Sequence, residues 1–240
     1  MFKSIFVSSY IDNQKTIASL LAESQDTGRF YFLLSLGTFM ATLGLLIDDV
    51  IVVIAAMLVA PILFPILSLA MAIATSSRVA LLRSFKIISR SIGLVFIISL
   101  VTAFLLGSHQ SSGDILNSLI PDIFLYLISF AAGLAVAFTW VQKDMSAVLP
   151  GIAVSASLIV PLSAVGVGLS SFDRLIIAGS ITLFAINLLS IVLAGVVIFA
   201  LFGFANLQAE EEEKITEKNS EQKIQEEAIK SAEEESVETV

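Results

Sequence analysis

The chain contains no cysteine and a single histidine, His109, in a polar stretch. Thiolate chemistry is thereby excluded, as is any cysteine or multi-histidine metal site within one subunit. A Ser-His-Asp triad would have to use His109, which stands beside Ser111, Ser112 and Asp114. Adjacency along the chain does not argue for a triad, because its members meet through the fold. Charge is also scarce: Asp, Glu, Lys and Arg make up 14% of the residues, against about 25% in soluble domains. No Asp, Glu or Lys lies deep in any apolar run, which disfavours a side-chain proton relay or a carboxylate-based cation site there. An enzyme is not expected, and neither a cofactor, a metal nor a nucleic acid is called for.

What fills the chain instead is apolar: 57% of 240 residues. A bilayer core about 30 Å thick needs roughly 20 apolar residues of helix to cross. Six stretches meet or approach that length: Phe30 to Ile47, Val50 to Thr75, Ile87 to Leu106, Ile123 to Val141, Val148 to Leu169 and Leu175 to Leu201. The period-2 alternation of a membrane barrel is absent from them. The expected class is therefore an all-α integral membrane protein with six transmembrane helices.

The net charge of −8 does not describe the spans. Residues 206–240 carry twelve Glu and four Lys, which accounts for the whole excess. That segment has no aromatic residue and reads as an acidic cytoplasmic tail, disordered or a frayed helix. Residues 1–29 do not resemble a cleavable signal, since Ile5 to Val7 is too short for its apolar core. With Ile17, Leu20 and Leu21 set among Lys3, Lys15 and Arg29, they suit a helix lying at the cytoplasmic headgroups.

Lys and Arg concentrate on the cytoplasmic side of short loops. With the N-terminus inside, twelve of them fall inside and only Arg174 outside. Both termini are thus expected in the cytoplasm, in a multi-pass protein of the plasma membrane.

An internal repeat organises the spans. Pro65 is followed thirteen residues later by Arg78, and Pro161 by Arg174, so that a shift of 96 positions superposes them. The same shift lays Gly37 on Gly133, Asp48 on Asp144, Ser84 on Ser180 and Ala70/Ala72 on Gly166/Gly168. Three spans per copy is an odd number, which turns the second copy upside down, the inverted-topology repeat of many transporters and channels. The expected order is an interfacial segment 1–29, repeat one at 30–107, an external loop at 108–122, repeat two at 123–205 and the tail at 206–240.

Proline marks the candidate site. Pro61 and Pro65 sit near the centre of the second span and Pro161 just past the centre of the fifth. Each proline removes the N–H that would bond the carbonyl four residues earlier, so the carbonyls of Met57, Pro61 and Ser157 are expected to be free at membrane depth. Such groups must be met by neighbouring protein, cavity water or a ligand. Met57, Pro61, Pro65, Ser157, Pro161 and the span-six Asn187 are the candidate ligand-binding residues, against the plainer alternative of packed kinks. Arg83, Lys86 and Arg90 stand at i, i+3 and i+7 on one helix face. They read as snorkelling anchors, or as a basic vestibule or lipid-headgroup site. Small-residue pairs such as Gly37/Ala41 and Gly133/Ala137 permit close helix contact, either within one subunit or in a homo-oligomer.

The stretch from Ala41 to Phe85 resembles the uncharacterised hydrophobic family known as domain of unknown function 389. Gly44, Leu45, Met57, Leu58, Pro61, Pro65, Arg78 and Arg83 occupy that family's pattern, and LPGIAVSASLIVPLSAVGVGL with Asn187 is similar to its second half. Ala55 and Phe64 stand where the pattern expects glycine, and Val160 where it expects a second proline. The resemblance implies fold and topology. It implies no activity, because the family's own is unassigned. The leading expectation is a transporter or channel for a small solute or ion; the alternative is a non-transporting membrane scaffold whose acidic tail recruits a partner.

Overall fold

A computed structural model describes residues 10–107, 115–116, 123–142 and 158–238, and its regular elements are helical throughout. In chain order they are α1 (Tyr10–Glu23), α2 (Gly28–Leu46), α3 (Val50–Val59), α4 (Leu63–Thr75), α5 (Arg78–Leu106), α6 (Ile123–Val141), α7 (Ile159–Ser170), α8 (Arg174–Leu201) and α9 (Gln208–Glu238). A 3-10 turn, Phe204–Asn206, joins the last two.

Apolar side chains fill the core and also cover the outside. Outward faces carry Phe32, Phe85, Phe104, Phe124, Leu175 and Leu189, all exposed, while Thr38, Thr42, Ser91 and Ser99 are buried between helices. Many of these hydroxyls donate to a carbonyl one turn back, as Thr38 does to Leu34 and Ser91 to Ile87. Satisfied in this way, they permit close helix contact without leaving an unmet donor. Large exposed apolar faces fit a lipid surround. The described part holds four helices long and apolar enough to cross a membrane, namely α2, α5, α6 and α8, and five spans if α3 and α4 count as one. The expected fifth span is described only from Leu158 on, as the short α7; its first half lies outside the described residues.

The 96-residue shift extends to the backbone. Helix α4 begins at Leu63 and α7 at Ile159, and α5 begins at Arg78 and α8 at Arg174. The turns between them are the same turn. Ser76 and Phe172, equivalent under the shift, both take left-handed φ, at 61° and 57°. The following N–H closes back on the chain in both: Ser77 to the Ala72 carbonyl at 3.1 Å, Asp173 to that of Gly168 at 2.9 Å. Each then caps the next helix, Ser77 through the Ala80 N–H and Asp173 through those of Leu175 and Ile176. An αL residue closing one helix and an N-cap opening the next give the chain a reversal within two residues.

Packing exchanges the repeats. The short α4 lies on the long α8, and the short α7 on the long α5. At the first contact, a Cβ on Gly195 would stand 2.7 Å from that of Ala70; at the second, one on Gly166 would stand 2.7 Å from the Leu100 nitrogen and also collide with Ser99. Ala70 corresponds to Gly166 and Ser99 to Gly195, so the two contacts are one contact made twice with the roles exchanged. Reciprocity of this kind belongs to a two-fold relation. Helices α5 and α8 run in opposite directions. Ser77, at the start of α5, donates to Glu212 in the first turns of α9, the helix that follows α8 across the 3-10 turn. The far end of α5, at Phe104 and Leu105, shares a cavity of about 420 Å³ with Ser170 and Phe172, at the start of α8.

Two terminal segments pack on the bundle. Helix α1 turns Ile17, Leu20 and Leu21 into the protein, where they are fully buried, and Asn13 Nδ2 donates to the Phe202 carbonyl at 3.1 Å. Its apolar face is met by the bundle rather than by headgroups. The acidic tail, expected to be disordered or a frayed helix, is described as the helix α9, and Glu211 and Ile215 near its start are buried. Docking of that base supplies the apolar contact that the charged remainder of the tail lacks.

Gly166→Ala should destabilise the protein by about 1–3 kcal/mol, because the α5 backbone leaves no room for a methyl group. Gly93→Ala, on the same α5 but with open space around the added carbon, should be neutral or stabilising by up to about 1 kcal/mol. Thermal unfolding of both variants in detergent measures the contrast.

Candidate functional site

Helices α3 and α4 meet at a bend of 54°. Proline creates it chemically. Pro61 has no N–H for the Met57 carbonyl, and Pro65 none for the Pro61 carbonyl. The last helical bond of α3 is Ala60 N–H to the Ala56 carbonyl at 3.2 Å, after which the chain leaves helical geometry at Ala60 (ψ 117°). The Pro61 carbonyl, expected to be free, takes the Phe64 N–H at 3.4 Å instead. A tighter, three-residue turn is thus formed at the start of α4.

The bend rests on α2. A Cβ on Gly37 would stand 2.8 Å from the Ala60 Cβ and 3.1 Å from the Ala56 carbonyl oxygen, so only glycine lets the broken backbone sit this close. Met57 and Pro61 are half-buried, and Pro65 is buried.

Pro65 is the third residue of α4, and Pro161, also buried, is the third residue of α7. A helix's first-turn N–H groups have no intrahelical partner, so both prolines start half-helices without breaking them. At 13 and 12 residues and 1.5 Å per residue, each reaches about 20 Å, too short to cross alone. Ser157 lies outside the described residues.

Among the named polar groups, the structure brings Asn187 to Ser129. The Ser129 hydroxyl on α6 donates to Asn187 Oδ1 on α8 at 2.6 Å, both buried. The half-helices carry a second polar feature. Ser84 donates to Ser68 at 3.1 Å between α5 and α4. At the equivalent place in the second repeat, Ser180 faces the position of Ala164, and its buried hydroxyl makes no hydrogen bond to the protein. Ser163, next to Ala164 in sequence and also buried, makes none either. These two oxygens, on α7 and α8, and the Met57 carbonyl, at the end of α3, are neutral polar groups on the proline-marked helices and the long helix beside them.

The three basic residues of α5 are placed differently. Arg90 pairs with Asp26 at 2.6 Å, and Lys86 is exposed. Arg83 turns inward, with Nη1 and Nη2 buried and unbonded to the protein. Its guanidinium feels Asp26 and Glu211. Glu211 was not legible as a distinct residue, because it is one of four consecutive glutamates. It is fully buried, one oxygen accepts the Thr75 hydroxyl, and the other has no partner in the protein. Burial pushes its carboxyl up to about 7; the Thr75 hydrogen bond opposes this, the neighbouring Glu212 adds to it, and Arg83 opposes it. Among the described residues no group of His, Asp and Glu is placed to hold a metal ion.

The family model titled domain of unknown function (DUF389) matches residues 57–193, a segment that runs from the bend through α8. An uncharacterised protein of Methanocaldococcus jannaschii is similar to the chain, 28% identical over 179 residues, covering 72% of this chain and 54% of that protein. The chain thus spans about half the length of the curated relative it matches. No solved structure matches.

Ser129→Ala removes the donor to Asn187 and should lower stability by about 0.5–1.5 kcal/mol, the range measured for hydrogen bonds between membrane helices. Chemical unfolding in mixed micelles provides the value. A change near zero would mean that Asn187 finds another donor without cost.

Proposed function

The chain belongs to the DUF389 family, and from that premise we propose that it is a transporter or channel of the plasma membrane for a small solute or ion. It works through two inverted repeats of three spans each, with both termini in the cytoplasm. The site lies where the proline-started half-helices α4 and α7 pack on the long helix of the opposite repeat. One observation carries the reading: Ala70–Gly195 and Gly166–Ser99 are the same contact made twice with roles exchanged. The opposed directions of α5 and α8 support it further, since equivalent helices running oppositely are what inversion requires.

Non-helical backbone at membrane depth is tolerated where it is buried in protein or lines a cavity. The Met57 carbonyl and the Ser163 and Ser180 hydroxyls would offer a passing solute neutral oxygens, in a bundle whose spans hold no acidic residue deep within them. The residues proposed to form the site are Met57, Pro61, Pro65, Ser157, Pro161 and Asn187. The lipid bilayer is the surrounding partner, and a homo-oligomer fits the exposed apolar faces. The charge distribution favours the cytoplasmic placement of the termini.

The scaffold alternative draws on α9, 31 residues long and bound to the bundle by its first turns, with Ile224 and Ile229 exposed further out. Truncation after Ser220 keeps the docked base. It should leave flux intact if the protein transports, and abolish partner recruitment if the tail is the working part.

Pro61→Ala together with Pro161→Ala should leave the protein inserted and change ion or solute flux in proteoliposomes at least tenfold. Unchanged flux in the folded double variant would reduce the prolines to packing elements. Inversion has its own test in this cysteine-free chain. Ser76→Cys and Phe172→Cys, at equivalent exposed turn positions, should react with an impermeant maleimide from opposite sides: the first only in opened membranes, the second in intact cells. Labelling of both from one side would remove the inverted repeat.

A further inference from the structure

We infer that the base of α9 is a pH-sensitive latch on the cytoplasmic end of the half-helix α4, closed by the carboxyl of Glu211 and released when that carboxyl carries its charge. The inference rests on the transport reading only for its consequence. The latch itself stands on the geometry of α9, α4, α5 and α1.

Helix α9 touches the bundle at those three helices. From α4 comes Thr75, whose hydroxyl donates to Glu211; α4 has no titratable side chain. Ser77, in the turn that follows, donates to Glu212 at 3.0 Å. From α5 comes Arg83, the one cation that acts on Glu211, itself drawn also toward Asp26. Lys15 and Glu23 of α1 are exposed. On α9, Glu212 repels Glu211. Buried Ile215, one turn further on, supplies an apolar contact that adds to docking in both charge states.

The pair at the centre is incomplete. Glu211 Oε1 and both terminal nitrogens of Arg83 are buried, yet none of these three atoms has a hydrogen-bond partner in the protein. A buried charge without a fully bonded partner disfavours the state that buries it. Neutral Glu211 removes that penalty and still shares a hydrogen bond with Thr75.

The direction follows from the proton count. Docked, the carboxyl titrates at about 7; free in water, at its ordinary 4.5. The docked state therefore holds the proton more tightly, and docking is at full strength below 4.5. It weakens as pH rises from 4.5 to about 7 and is flat above that, a change in the docking equilibrium of order one hundredfold. A cytoplasm near neutrality lies at the upper end of this window, where docking is near its weakest, so acidification closes the latch on α4 and a return to neutrality frees it.

The test uses the full chain in nanodiscs, with thiol spin labels on Ala22→Cys of α1 and Glu213→Cys of α9, both exposed positions. At pH 5.5 the label-to-label distance should be single and short. At pH 8.5 a broad, longer population should appear. Glu211→Gln, which cannot charge, should keep the short distance at both pH values. Arg83→Gln, which removes the facing cation, should enlarge the long population at pH 8.5. A native distance that ignores pH overturns the latch. So does a Glu211→Gln variant that responds to pH as the native chain does, or an Arg83→Gln variant that docks at pH 8.5 as firmly as the native chain. Flux in proteoliposomes, read separately, should rise with the long population; distances that switch while no flux occurs at either pH uphold the latch and remove the transport reading.

Discussion

Every backbone N–H and C=O inside a bilayer has to find a partner within the protein, and the prolines of this chain break that rule in the middle of a span. The rest of the fold is arranged around the consequence. Helices α3 and α4 cannot be one continuous rod, so each is too short to be stable alone in hydrocarbon, and each needs a long helix beside it. Gly37 admits the broken end of α3, and Gly195 admits α4. Helix α7, begun by Pro161, is seated on α5 in the same manner through Gly166. Side-chain volume is withheld where the backbone needs company.

This arrangement ties the two halves together more firmly than a linker could. Because each half-helix lies against the other repeat's long helix, neither repeat completes its own core. Many of the hydroxyls buried among them bond locally or to one another, as Thr38, Ser91 and Ser84 do, while Ser163 and Ser180 are left without a protein partner. The terminal segments then add to one end only: α1 docks beside the end of α8, Phe204 stacks on Phe199 with ring centroids 5.3 Å apart, and α9 settles on the turn after α4.

Much of the helical skeleton was legible from residue order, and the reason is physical. Apolar length reports span existence, and the spacing of Pro65 to Arg78 and Pro161 to Arg174 coincides with helix starts because proline favours a first turn and a cap residue precedes each arginine. What proline does at each site was less legible. Pro65 and Pro161 both read as breaks within helices, whereas both occupy positions where a missing N–H is harmless. Packing partners were not legible at all: nothing in a run of four glutamates distinguishes Glu211, and the inward turn of Arg83 depends on a helix more than a hundred residues away. The amphipathic face of α1 was read correctly as apolar, but whether lipid or protein would cover it is decided by tertiary contacts that no local pattern records.

The hydroxyl pair Ser68–Ser84 has lost one member in the second half, where alanine stands at 164 and Ser180 is left alone. For a body made of two identical halves related by a two-fold axis in the membrane, the shapes facing either side would be degenerate, and neither would be preferred at rest. Every such departure from identity lifts that degeneracy. Drift between the copies can therefore do more than erase an ancestral likeness: it can give the molecule a ground state, and with it a direction.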